Sequence, residues 1–155
     1  MAAEIALALA VAIGLTGAVW DVRTRRIPNL LVLPLAVAAV GATVLGADWS
    51  VLGSTALHAA IALVVGMLLF AGRLIGAGDA KFYAAAALAI PLDRALPMLG
   101  WVALSGLALV ALMTIWYRGL KITRNGERQS WTLPYAVPIF CGFLAESWPR
   151  LEVVF

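Results

Sequence analysis

Long apolar stretches fill most of this 155-residue chain and constrain its fold more than any other feature. Hydrophobic residues make up 64% of the chain and charged residues 12%, whereas about a quarter of a soluble domain is charged. A soluble domain of this length cannot bury so much apolar surface, so lipid must surround most of it. We therefore expect an all-α, polytopic membrane protein with about six transmembrane helices. The apolar stretches are Ile5–Trp20, Leu30–Leu45, Val51–Ala71, Phe82–Leu92, Leu99–Trp116 and Leu133–Trp148.

Several of these stretches are shorter than the roughly 20 residues that a spanning helix needs, so we expect the helices to extend into the flanking residues. The fourth stretch contains Pro91 and is followed by Asp93 and Arg94, which leaves open whether it spans fully. No Pro/Ser-rich linker or block of charge divides the chain, so residues 1–155 are expected to form one domain. The single Cys141 excludes an internal disulfide and a CxxC zinc pair, and we expect neither a metal nor a cofactor.

The basic residues indicate how the spans are oriented. If all six stretches span, the loops Val22–Ile27, Gly72–Lys81 and Tyr117–Thr132 share one side of the membrane. Positive charge favours the cytoplasmic side, so these loops should be cytoplasmic and both termini outside, in the periplasm. Nine of the eleven Lys and Arg residues lie in these loops, and the other two lie on the opposite side: Arg23, Arg25, Arg26, Arg73, Lys81, Arg118, Lys121, Arg124 and Arg128 against Arg94 and Arg150.

Two aspartates are placed where a membrane helix begins or ends. Asp21 ends the first span in "VWDVRTRRIPN", and Asp79 opens the fourth in "GAGDAKFY". Two spans separate them, so both carboxylates should lie at the same depth near the cytoplasmic face. A carboxylate next to lipid is costly unless it faces protein or water, which makes both residues functional candidates. Asp48 and Asp93 fall in outside loops, where a solvated turn residue is the ordinary explanation.

Two carboxyl groups in one partly dehydrated site suit the activation of water. They cannot both ionise cheaply, so one keeps its proton while the other is charged. The ionised group can take a proton from water while the protonated group polarises a peptide carbonyl. Gly76 and Gly78 would let the chain turn sharply and a substrate strand approach closely. The dipole at the helix start favours the charged form of Asp79.

Purely structural roles are the alternative for the same residues. Asp79 could cap its helix while Lys81 anchors it at the interface, and Asp21 could bridge Arg23 or Arg25. Lys81 could instead pair with Asp79 and lower its pKa. For His58, inside the third span, a hydrogen bond between helices is favoured over catalysis.

Three segments in order, "DVRTRRIPN", "GAGDAKFYAA" and "LPYAVPIFCGF", resemble the prepilin peptidases. These are integral-membrane aspartic proteases with a GxGD motif. The resemblance implies that Asp21 and Asp79 are the catalytic pair, and that cleavage occurs at the cytoplasmic face of the inner (plasma) membrane. The substrate would be a pilin-like precursor, cut after a glycine that precedes its hydrophobic helix. Residues expected to support the site are Gly76, Gly78, Lys81, Pro134 and Tyr135.

The chain departs from the longer members of that family. Those members carry an N-terminal cytoplasmic domain with CxxC motifs, which is associated with methylation of the new N-terminus. Here the first apolar stretch begins at Ile5, and Cys141 is the only cysteine. The chain therefore resembles the short peptidases of tight-adherence (Flp-type) pilus systems, and we expect no methyltransferase domain. The implied partners are the prepilin, the lipid bilayer and pilus assembly machinery, with no nucleic acid.

Two other functions compete with this interpretation. A GxGD protease that cuts within transmembrane helices, such as signal peptide peptidase, is weakened because Asp21 lies outside the apolar centre and next to three arginines. A small proton-coupled transporter would need polar residues threaded through several spans. The span centres offer little beyond His58, Ser105 and Thr114.

Overall fold

The computed structural model describes residues 1–46, 49–119 and 133–151, and these residues form an all-helical protein. This confirms the expected all-α class. A short 3-10 helix, Leu92–Arg94, joins the fourth and fifth helices. The α-helices are α1 (Ala2–Thr24), α2 (Asn29–Gly46), α3 (Trp49–Ala71), α4 (Ala77–Ala87), α5 (Ala95–Gly119) and α6 (Ala136–Leu151).

Four helical segments are long and apolar enough to cross a membrane: α1, α2, α3 and the stretch Leu92–Trp116 that includes most of α5. Each extends beyond the apolar residues of its sequence stretch, as predicted. The 23 residues of α1 correspond to about 34 Å at 1.5 Å per residue. Helix α1 is therefore longer than the roughly 30 Å thickness of the hydrocarbon core.

The other two helices, α4 and α6, are shorter, with 11 and 16 residues. The fourth apolar stretch is Phe82–Leu92, whereas α4 runs from Ala77 to Ala87. The helix begins directly after Gly76 and ends before Pro91. Eleven residues give a helix of about 16 Å, roughly half the hydrocarbon core. The count of six spanning segments therefore stays a prediction.

Helix α4 is nevertheless central to the packing. It contacts α2, α3 and α6, and Phe82, Ala85 and Ala86 belong to the hydrophobic core. Small residues allow this close approach: a Cβ atom added at Gly66 of α3 would lie 2.7 Å from the Cβ of Ala80. Such small-residue contacts are typical of helices that associate in lipid, where close van der Waals packing replaces the hydrophobic effect.

Polar side chains from three helices satisfy the backbone just past the end of α4. A helix leaves its last carbonyl groups without intrahelical partners, and an unpaired carbonyl is costly in lipid. Three consecutive carbonyls here each accept a hydrogen bond from a different helix. The pairs are Thr43 Oγ1 with Leu88 O, Arg150 Nη1 with Ala89 O, and His58 Nδ1 with Ile90 O, each at 2.8 Å. His58 on α3 thus holds the turn that follows α4, and its Nε2 accepts a hydrogen bond of 3.5 Å from the hydroxyl of Tyr83 on α4. This second bond joins two helices, as the sequence position of His58 favoured.

Candidate active site

One cavity contains both aspartates that the sequence singled out. It has a volume of about 690 Å³ and lies between the end of α1, the turn before α4 and the residues that lead into α6. The two spans between the carboxylates predict that they lie at one depth, and the structure brings them into a single cavity. Its other lining residues are Arg25, Arg26, Ile27, Arg73, Leu74, Ile75, Gly76, Gly78, Leu133 and Tyr135.

Asp21 is held by the start of the last helix. Its side chain is in the last turns of α1 and only 5% exposed. The backbone N–H of Ala136 donates a hydrogen bond of 3.2 Å to Asp21 Oδ2, and Ala136 is the first residue of α6. One of the N-terminal donors that a helix leaves unpaired is thereby satisfied, and the orientation of the carboxylate is fixed. The "LPYAVP" segment thus reaches the site through a main-chain amide.

Asp79 is the third residue of α4, and it faces back towards the start of its own helix. The backbone N–H of Gly76 donates a hydrogen bond of 3.0 Å to Asp79 Oδ2. A Cβ atom at position 76 would lie 2.9 Å from the same oxygen, so any side chain here would push the carboxylate of Asp79 aside. Asp79 therefore does cap the helix start, as the structural alternative proposed, and it lines the cavity as well.

The environment of Asp79 changes its acidity. Asp79 precedes the apolar part of the fourth stretch and lies outside the four long candidate spans. Burial raises the pKa of Asp79 from its ordinary value to about 6. This pKa already includes the hydrogen bond from Gly76, which acts in the opposite direction, and the charge of Asp21, which adds a smaller increase. The charge of Asp21 thus acts on Asp79, as expected for two carboxyl groups that line one cavity.

Three arginines form a basic rim around the cavity: Arg25, Arg26 and Arg73. Arg25, which ends α1, has φ 56° and Arg73, which follows α3, has φ 59°. They are the non-glycine residues with positive φ in the described ranges. A left-handed backbone is unfavourable for most residues other than Gly and Asn. In the sequence these arginines orient the spans, and Arg25 is a possible partner of Asp21, but none of them is predicted to line a site. Their position directly after long apolar helices, beside the segments of the two aspartates, was the signal for a role in the cavity.

The remaining predicted site residues fall into two groups. Gly76, Gly78 and Tyr135 line the cavity together with the aspartates. Pro134 is buried next to Tyr135 but does not line it. The side chain of Lys81 is exposed and lies outside the cavity. The contacts of the described residues include no ion pair between Lys81 and Asp79.

The hydroxyl groups of Ser105 and Thr114 on α5 are engaged mainly within their own helix. Ser105 donates to Trp101 O and Thr114 to Val110 O, both one turn back in α5. Such bonds satisfy the hydroxyl within its own helix. Within residues 1–46, 49–119 and 133–151, no three His, Cys, Asp or Glu side chains cluster so that they could hold a metal ion. In the described structure, the carboxylate cavity is where the two candidate catalytic side chains, Asp21 and Asp79, come together.

One comparison with known proteins gives a match. The profile of the type IV leader peptidase family matches residues 8–115. The matched range includes both aspartates and most of the chain from α1 to α5. No curated protein and no solved structure gives a match.

Proposed function

The chain belongs to the type IV leader peptidase family, and from this premise we propose that Asp21 and Asp79 are the catalytic pair of a membrane-embedded aspartic endopeptidase. Its substrate is the precursor of a type IV or Flp-like pilin, and the bond cut follows a glycine at the end of the leader. The observation that carries the proposal is the single cavity in which both carboxyl groups meet. The charge of Asp21 also contributes to the raised pKa of Asp79, which supports it further.

The two carboxyl groups divide the chemistry between them. The ionised group takes a proton from a water molecule, and the resulting hydroxide adds to the carbonyl carbon of the scissile peptide. The protonated group donates to the carbonyl oxygen and stabilises the charge that develops there. When the C–N bond breaks, the proton taken from water goes to the leaving amine. We assign the shared proton to Asp79, because burial raises the pKa of its carboxyl to about 6.

Several contacts support the proposed arrangement of six spans with both termini outside. A second cavity brings the start of α1 (Met1, Glu4), the end of α2 (Gly46) and the end of α6 (Arg150) together. The carboxylate cavity joins the opposite ends of α1 and α6. The bonds from Thr43 and Arg150 hold the residues after α4 near the first of these ends. Helix α4 with its turn thus leads from the carboxylate end of the bundle towards the other end.

We propose that the carboxylate end faces the cytoplasm and that the protein lies in the inner membrane. Arg25, Arg26 and Arg73 line the cavity at this end, and positive charge favours the cytoplasmic side. The loop Tyr117–Thr132 carries four more basic residues, but residues 120–132 lie outside the described part of the chain. Its position on the same side follows from the charge count of the sequence alone.

Cysteine labelling tests this orientation. In a Cys141→Ser background, a single cysteine in the loop Tyr117–Thr132 should react with an impermeant reagent only after the cytoplasmic side is exposed. A cysteine in the tail Arg150–Phe155 should react from the outside in intact cells. The two positions act as controls for each other. Labelling of the loop from outside would contradict the six-span arrangement and the common depth of the aspartates.

A cleavage assay tests the function itself. Purified protein should cut a pilin-like precursor once, after the glycine that precedes the hydrophobic helix, and mass spectrometry of both products would locate the bond. Cuts within the hydrophobic helix would instead support a protease of the signal-peptide-peptidase type. An intact precursor under all conditions would contradict the proposed function.

The same assay should show a characteristic dependence on pH. The pair is competent while it holds one proton, and the pKa of Asp79 is about 6. Initial rates should therefore fall as the pH rises through about 6 to about 8, because the pair loses its shared proton. Thermal unfolding over the same range would show whether the loss reflects chemistry rather than stability. A rate that climbs steadily through this range would contradict the assignment of the proton to Asp79.

A further inference from the structure

An apolar groove runs between α3 and α5, with α4 as its floor. Its volume is about 340 Å³. We define it by the side chains of its two walls, which are Ala62, Val65 and Leu69 on α3 and Ala95, Leu99 and Val102 on α5. We propose that this groove binds the hydrophobic transmembrane helix of the precursor, an inference that rests on the proposed peptidase function.

The groove exists because the two long helices that form its walls pack on different partners. Helix α3 packs mainly on α4, and α5 packs mainly on α6, while α3 and α5 have little direct contact. Between them the half-buried ring of Tyr83 on α4 lines the bottom of the groove, beside Ala80, which is buried against Gly66 of α3. The lining is almost wholly apolar, so an occupant must also be apolar to lose no hydrogen bonds on binding.

The groove is continuous with the carboxylate cavity. Three residues, Ile75, Asp79 and Tyr135, line both. An apolar segment that lies in the groove therefore ends at the carboxylates. In the proposed substrate the scissile glycine directly precedes the hydrophobic helix. The helix would then run outward along α4 towards Ala95, and the bond to be cut would lie between Asp21 and Asp79.

The lining of the groove favours a helix over a lipid chain or a second copy of the protein. The small, half-buried residues Ala62 and Ala95 line its walls, and small residues allow two helix backbones to approach closely. The two carboxyl groups at the end of the groove add no binding free energy for an acyl chain. A helix with a scissile bond at its end gains a position for that bond, because binding energy away from the reacting atoms is used to orient them.

Filling the groove tests the proposal. Ala62→Trp and Ala95→Trp place bulk inside it. Val64→Trp and Leu104→Trp are matched controls, since they add the same side chain to well-exposed positions of α3 and α5 (61% and 62%) outside the groove lining. Each variant is assayed on the whole precursor and on a short peptide that ends soon after the cleavage site. We expect the rate ratio, precursor to peptide, to fall at least about tenfold for the groove variants and to stay unchanged for the controls.

The outcomes of this assay are distinguishable. A ratio that stays at the wild-type value in both groove variants would overturn the inference and leave lipid as the occupant. Loss of both substrates in equal proportion would overturn it too, because the groove would then have no special relation to the hydrophobic helix. If wild-type protein cuts neither substrate, the proposed function fails, and crosslinking decides whether the groove binds the helix.

Crosslinking gives that second measurement without added bulk. Cysteines replace Ala62 or Ala95 in a Cys141→Ser, Asp79→Asn background that keeps the precursor uncut, and a single cysteine is placed in the precursor's hydrophobic helix. Oxidation should join the two proteins from the groove positions and not from Val64→Cys or Leu104→Cys. Crosslinks from all four positions, from none, or only between two copies of the peptidase would overturn the inference.

Discussion

Asp21→Asn and Asp79→Asn should each lower the rate of precursor cleavage by a factor of at least about 1000. An amide is nearly isosteric with a carboxyl group, but it can neither take a proton from water nor share one with a partner acid. The double variant should be no slower than either single variant, because the members of one catalytic unit are strongly non-additive. Initial rates from a gel assay with purified protein would measure all three.

Both substitutions should leave the local hydrogen bonds of the folded protein in place. An asparagine at position 79 can still accept the hydrogen bond from Gly76 N, and one at position 21 can still accept from Ala136 N. Thermal unfolding should therefore change little. Asp93→Asn, on the exposed 3-10 helix, is the matched control and should keep wild-type activity, and Lys81→Met should have a milder effect than either catalytic substitution. Near-normal cleavage by either catalytic variant would reduce Asp79 to a helix cap and exclude the dyad.

Gly142→Ala should destabilise the protein by about 1–3 kcal/mol, the usual cost of overpacking a close contact. Gly142 lies where α6 crosses α5, and a Cβ atom there would be 2.6 Å from Val102 Cγ2 and 2.8 Å from Met98 O. The carbonyl belongs to the backbone of α5, so the clash can be relieved only if the two helices separate. Thermal unfolding in detergent or bilayers would measure the change in the free energy of unfolding.

Gly100→Ala is the control for this prediction. A Cβ atom at Gly100, on α5, would meet nothing within 4 Å, so the better helix propensity of alanine should stabilise the protein by about 0.5–1 kcal/mol. Cleavage should fall only in Gly142→Ala, because α6 carries the amide of Ala136 that holds Asp21. Equal changes in stability for both variants would show that the α5–α6 contact is looser than the structure indicates.

Much of the fold followed from the apolar pattern alone. Apolar stretches of this number and length predict a helical membrane protein, and the need to cross about 30 Å predicts that the helices extend past them. The fourth apolar stretch, Phe82–Leu92, does not by itself mark the ends of α4, which begins at Ala77 and ends at Ala87. Hydropathy does not register Gly76, Ala77 or Gly78 as the start of a helix, although the glycine and the capping aspartate carry that information.

The sequence also predicts that the two carboxyl groups form a pair, because an even number of spans between Asp21 and Asp79 puts them at one depth. Which groups would face them was decided only by the tertiary structure. The donor to Asp21 is the main-chain N–H of Ala136, and every residue except proline has such a group, so no residue type identifies it. The groove between α3 and α5 likewise depends on how each helix is rotated and on which neighbour it packs against. Apolar surfaces in lipid do not encode that choice, because packing against a helix and packing against an acyl chain are chemically alike.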